Sequence, residues 1–204
     1  MRKKHNVQDI IRIGEDIIRK NGYHHTGIND ILKASGMPKG SFYNYFNSKE
    51  AFGKRLLEHE GTQLAAKMEA MLQDASKRPL ERIKSFYDVL IEEYEAEECR
   101  NGSLVGNLAT ELGGQVDILA ETANAQYEGW VILLAECIRE GQREGELTED
   151  YTAVELAHFI HASFFGALTR GKMLRSTRPL RLTLQMTFDF ITQREGVGQA
   201  AWKI

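Results

Sequence analysis

With 204 residues, 42% of them hydrophobic and 27% charged, the chain is long enough to bury a core and ordinary in composition for a folded globular protein. Its longest apolar run, VILLA at 131–135, is far short of the ~18 residues that a membrane span needs. The opening MRKKHNVQD has no apolar signal-peptide core, so the expected location is the cytoplasm.

The net charge of −3 alone argues against a polyanionic partner, but its distribution argues for one. Residues 1–60 carry eleven Lys/Arg against seven Asp/Glu, whereas 61–204 carry fifteen against twenty-two. A basic first quarter on an acidic body fits a head that meets a polyanion. The two cysteines, Cys99 and Cys137, have no CxxC or Cys/His ligand spacing, and two reduced thiols are expected.

In chain order, Ile10, Ile13, Ile17 and Ile18 recur at helical spacing, and Asn21-Gly22 stops this first helix. A second helix opens after Thr26-Gly27 and buries Ile28, Ile31 and Leu32, ending at Ser35-Gly36. Pro38 holds Met37 out of the helical region and starts a short third helix over about 39–46. A fourth, from 48 to about 72, is long enough to act as a strut from head to body. Arg78-Pro79 starts a fifth, lined by Ile83, Phe86, Tyr87, Leu90 and Ile91. Residues 99–106 read as a break, and Gly113-Gly114 as another. A long helix over about 116–144 ends at Gly145. Asp150 or Thr152 caps a helix to about 174, and Pro179 opens the last, to about Gln193. The tail GVGQAAWKI stays unassigned, with Trp202 able to dock on the body. The expected fold is all-α: a three-helix N-terminal domain over 1–50, joined by the long helix to a helical bundle within 51–204.

The stretch GMPKGSFYNYFNSK at 36–49 carries the functional signal. Two short helices joined through Gly36, Met37 and Pro38 make a helix-turn-helix. Phe42 and Phe46, four apart, share its inner face, which leaves Lys39, Gly40, Ser41, Tyr43 and Asn44 outward at the start of the second helix. In such a motif those positions reach base edges. Lys39 can donate to guanine or phosphate, and Asn44 can pair with adenine. Tyr43, Tyr45, Ser41 and Lys49 offer phosphate donors, and Gly40 removes a side chain where DNA would approach. A helical corner that docks another protein, with solvated charges, is the competing reading.

The segment GYHHTGINDILKASGMPKGSFYNYFNSKEAFGKRLLE resembles the DNA-binding domain of the TetR family of bacterial regulators over about fifty residues. The resemblance implies a ligand-responsive regulator, most often a repressor, that binds a palindromic operator as a homodimer. It implies DNA contacts at Lys39, Gly40, Ser41, Tyr43, Asn44, Tyr45 and Lys49. Gly27 stands where many members carry Thr or Ser, and Thr26 is the residue expected to take over that phosphate contact. Dimerisation would use the last two helices, about 152–193, where Ala162, Gly166 and Ala167 lie among Phe159, Phe164 and Phe165.

NGSLVGNLATEL resembles a segment of a subgroup that senses electrophiles such as N-ethylmaleimide or acrylate, in which the equivalent of Ser103 can be a reactive cysteine. Here Cys99 lies four residues earlier, and thiol sensing would require it to be exposed and its thiolate favoured. The alternative is reversible binding of a small molecule in an apolar pocket, with Tyr87, Leu108, Tyr127, Trp130 and Phe165 as walls and Ser103, Asn107 and Glu111 as polar contacts. His158 and His161 lack a further ligand at metal-site spacing, so no metal is expected. No cofactor or enzyme motif stands out.

Overall fold

The computed structural model describes residues 6–112, 114 and 116–192. Among them are nine helices and no strand: α1 (Val7–Asn21), α2 (Ile28–Ser35), α3 (Lys39–Tyr45), α4 (Lys49–Leu72), α5 (Pro79–Ala96), α6 (Leu104–Leu112), α7 (Asp117–Arg143), α8 (Ala153–Leu174) and α9 (Arg178–Thr192). The expected all-α class is what the chain adopts. Gln193, the tail and Trp202 lie outside the described residues. The chain divides into two compact units: one runs through Lys67 and adds Cys99–Trp130, and the other comprises Met68–Glu98 and the chain from Val131 on.

In the first unit, Asn6 caps α1 by accepting the Gln8 N–H at 3.1 Å. The buried face of α1 is Ile10, Ile11, Gly14, Glu15 and Ile18, so Ile13 and Ile17 sit half-buried at its edges. The stripe is rotated from the expected one because Gly14 receives the Phe52 ring of α4, where any Cβ would collide. Gly36 ends α2 with φ 66°, a left-handed backbone that glycine adopts without penalty. Pro38, at φ −62°, precedes α3 as its cap, one position earlier than expected. Phe42, Phe46 and Phe52 then close the core as a triangle, with ring centroids 4.9–5.4 Å apart. All three are buried, worth about 1.5–3 kcal/mol each in burial alone.

The segment read as a break at 99–106 holds the start of α6. Its first free N–H groups find an acceptor distant in sequence: the Glu60 carboxylate takes Leu104 N at 3.0 Å and Val105 N at 2.7 Å. Arg19 of α1 clasps the same end, donating to Glu60 Oε1 at 3.0 Å and to the Gly102 carbonyl at 2.9 Å. Burial pushes the Glu60 carboxyl up, against Arg19 and the two N–H donors.

In the second unit, Arg82 is the polar keystone. Buried to 6% exposure, it forks onto both Glu140 oxygens at 2.7 and 3.0 Å and donates to the carbonyls of Leu72 and Lys77. One guanidinium thus ties α5 to α7 and to the end of α4. Thr152 and Glu155 cap α8 reciprocally, at 3.2 and 2.8 Å, the box arrangement in which two orphan donors are satisfied at once.

Candidate nucleic-acid interface

Helix α3 separates its residues by chemistry. Phe42 and Phe46 are fully inward, whereas Lys39, Gly40, Asn44 and the two tyrosines face solvent and Ser41 is half-buried. Tyr43 is 41% and Tyr45 55% exposed, each in ring contact with its phenylalanine neighbour, although fuller burial of either ring would be favourable. A Cβ built on Gly40 meets no atom within 4 Å, so the fold itself gives no reason for a glycine there. The outer face therefore gathers Lys39, Gly40, Ser41, Tyr43, Asn44 and Tyr45 over two helical turns, with donors matched to phosphates and base edges.

Two expected contacts are placed differently. Thr26 is 1% exposed, with its hydroxyl donating to the Gly22 carbonyl at 2.7 Å. It is turned into the head, closing the α1–α2 turn, and cannot offer that hydroxyl to a phosphate in this arrangement. Nor does it cap α2. Gly27 holds the cap position, and Asp30 Oδ2 accepts the Gly27 N–H at 2.9 Å. Lys49 is half-buried, its ammonium 2.5 Å from the Tyr23 carbonyl and 4.2 Å above the Tyr23 ring centroid. Burial lowers its pKa, opposed by the charges of Glu111 and Glu50. Its first role is to hold the turn that precedes α2.

One residue grips this turn from outside, a role different from the ligand contact expected of it. Glu111, expected to face a ligand, lies on α6 with Oε2 accepting Tyr23 N–H at 2.9 Å and Oε1 accepting His24 N–H at 2.6 Å. Both oxygens are engaged by the head. Burial pushes this carboxyl up, but the His24 and Tyr23 N–H bonds and the charges of His24 and His25 outweigh it, and its pKa is lowered. No local motif could have revealed the pairing, because the acceptor and its donors are 87 and 88 residues apart.

The other residues considered for a ligand divide between the units. In the first, Leu108 and Trp130 are buried, and Trp130 Nε1 donates to the Gly61 carbonyl at 3.2 Å. Asn107 and Tyr127 are half-buried. Ser103 Oγ accepts the Gly106 N–H at 3.2 Å and so helps to start α6. In the second, buried Tyr87 sets its hydroxyl 3.2 Å from His161 Nδ1, and Phe165 stands 6.3 Å from the His161 ring. Cys99 and Cys137 are both buried and neither is in a disulfide. Burial pushes Cys137 up to about 11.

A helix-turn-helix with an aromatic-filled inner face and a polar, exposed outer face is the arrangement of a DNA-binding regulator. Residues 10–56 match the family model "Bacterial regulatory proteins, tetR family", and 79–187 match "Tetracyclin repressor-like, C-terminal domain". The chain is 34% identical over 182 residues to the HTH-type transcriptional repressor DhaR of Mycobacterium sp. strain GP1, covering 89% of this chain and 90% of that protein. It is 35% identical over 190 residues to the transcriptional regulator AcuR of Cereibacter sphaeroides, covering 92% and 86%. The crystal structure of reduced Escherichia coli NemR superposes with a TM-score of 0.85 at 26% identity, covering 92% of this chain and 98% of that one. The chain belongs to the TetR family of bacterial transcriptional regulators.

Proposed function

We propose that the protein is a cytoplasmic repressor, without enzymatic activity, that binds a palindromic operator as a homodimer and is released by a small molecule. The observation that carries the DNA-reading role is the outer face of α3: exposed Tyr43, Asn44 and Tyr45 beside a Gly40 whose missing side chain serves no contact within the fold. Residues 1–50 are the reading domain, and 51–204 bind the ligand and the second copy. Lys39 and Asn44 address bases, while Ser41, Tyr43 and Tyr45 address phosphates.

The homodimer would use 152–193. Along α8 and α9, Val154, Phe159, Leu182, Met186 and Phe190 are each at least 40% exposed, an apolar face that water disfavours. Gly166 lies on that side of α8 with open space at its Cβ position. Two copies then set their α3 helices about one DNA turn, roughly 34 Å, apart. A ligand that prefers a different spacing releases DNA by its differential affinity for the two states. Asn107, Tyr127 and Phe165 keep their place as candidate ligand contacts. Buried thiols favour reversible binding over covalent capture at Cys99.

The test is gel-shift binding to the DNA flanking the protein's own gene at two salt concentrations, with stoichiometry by sedimentation. Two protomers per duplex and affinity that falls with salt are expected. Salt-insensitive binding without sequence preference would leave a protein-docking corner as the better reading.

A further inference from the structure

The turn between α1 and α2 is held by groups from two other elements, both in the first unit. From α6, the Glu111 carboxylate accepts two successive backbone N–H groups, of Tyr23 and His24. From α4, Lys49 donates to the carbonyl of that same Tyr23 and lies over its ring. The ring packs so closely on Gly53 that a Cβ there would stand 2.9 Å from Tyr23 Cε2, and Leu119 of α7 lies 3.3 Å from the same point. From within, Thr26 closes the turn onto Gly22.

We infer that Glu111 is a positioning residue for DNA binding: its carboxylate fixes the α1–α2 turn from α6 and so sets the angle at which α2 and α3 meet the duplex. This rests on the DNA-reading role proposed above. Glu111 bonds only backbone atoms of the head, so it acts on the path of the chain. The next residues in that path are the Gly27 cap, α2, and the α3 face. The opposite end of α6 is tied to the head as well, through Glu60 and Arg19. α6 is thus a splint across α1, the turn and α4. A splint whose removal loosens the turn leaves the α3 residues intact while dispersing their orientation.

This role separates from a purely electrostatic one by sign. Glu111 is a negative charge set against a basic head, so removing it would strengthen binding to a polyanion if charge alone mattered. Loss of positioning weakens it.

The experiment compares wild type, Glu111→Gln and Glu111→Ala. The probe is the duplex that the wild type itself selects from a random-sequence library. Amide exchange at Tyr23 and His24 is followed in the free proteins, and melting temperature reports folding. Expected are faster exchange at those two amides, operator binding weaker by about tenfold or more, and a salt slope smaller by about one phosphate contact or more. If the alanine variant fails to fold, the isosteric glutamine variant gives the same three readouts. Faster exchange with unchanged or tighter binding would overturn the positioning role and leave DNA reading intact. Unchanged exchange at both amides would overturn it at its first step. A wild type that selects no duplex would overturn the DNA-reading role, and this inference with it.

Discussion

Gly40→Ala should make the protein more stable and a worse DNA binder. Gly40 is the second residue of α3, with an ordinary helical backbone and nothing within 4 Å of a new Cβ. Alanine exceeds glycine in a helix interior by about 1 kcal/mol. Near the first turn of a short helix about half of that remains, ~0.5 kcal/mol, drawn mainly from the unfolded chain. For a protein of this size the gain raises Tm by about 1–2 °C. The same methyl would occupy the gap through which the DNA backbone approaches. Overpacking a close contact costs about 1–3 kcal/mol, or roughly 5- to 150-fold in Kd. Thermal melting and fluorescence-anisotropy titration with the selected duplex read the two effects on one sample. A raised Tm with unchanged affinity would show that the space at Gly40 belongs to no partner, and the assignment of the α3 face would fall.

Other outcomes follow from the same geometry. Arg82→Ala strands Glu140 and the carbonyls of Leu72 and Lys77, and thermal denaturation should register a loss of about 3 kcal/mol. Glu111 has a pKa below its ordinary value of 4.5, so its stabilisation is complete above that value and fades as pH falls through the lowered one. The melting-temperature gap between wild type and Glu111→Gln should therefore hold from pH 7 to about 5 and close below about 4.5; a gap that widens on acidification contradicts the hold of Glu111 on the turn. Cys99 and Cys137 are buried and reduced, so N-ethylmaleimide should label neither at pH 7 in the folded protein and both after denaturation. Met186→Glu puts a charge on an apolar side chain 64% exposed in the single chain. Sedimentation should show monomers with unaltered helicity.

Local chemistry was well legible in the sequence. The glycine at 36, the prolines at 38 and 79, and Thr152 each act through neighbours within a few residues, and they set the ends of α2, α3, α5 and α8 closely. The inner and outer faces of α3 were legible for the same reason, since spacing alone assigns Phe42 and Phe46 to one side. What escaped depends on residues far apart in the chain. The stripe on α1 turned toward Ile11 and Gly14 because of Phe52. The start of α6 looked like a break because its cap is Glu60, more than forty residues earlier. Thr26, Lys49 and Glu111 have side chains suited to a phosphate or a ligand, and the fold turns all three onto one turn of backbone.

If the outer face of α3 reads DNA, Tyr43→Ala should abolish most of the binding without unfolding the protein. Tyr43 is exposed, so its loss should leave Tm within about 2 °C. Binding of wild type and variant to the selected duplex is measured at 50 and 200 mM salt. Wild-type binding should weaken steeply with salt, and the folded variant should bind at least about tenfold more weakly. A folded Tyr43→Ala that matches wild-type affinity and salt dependence would contradict a DNA-reading role for this face.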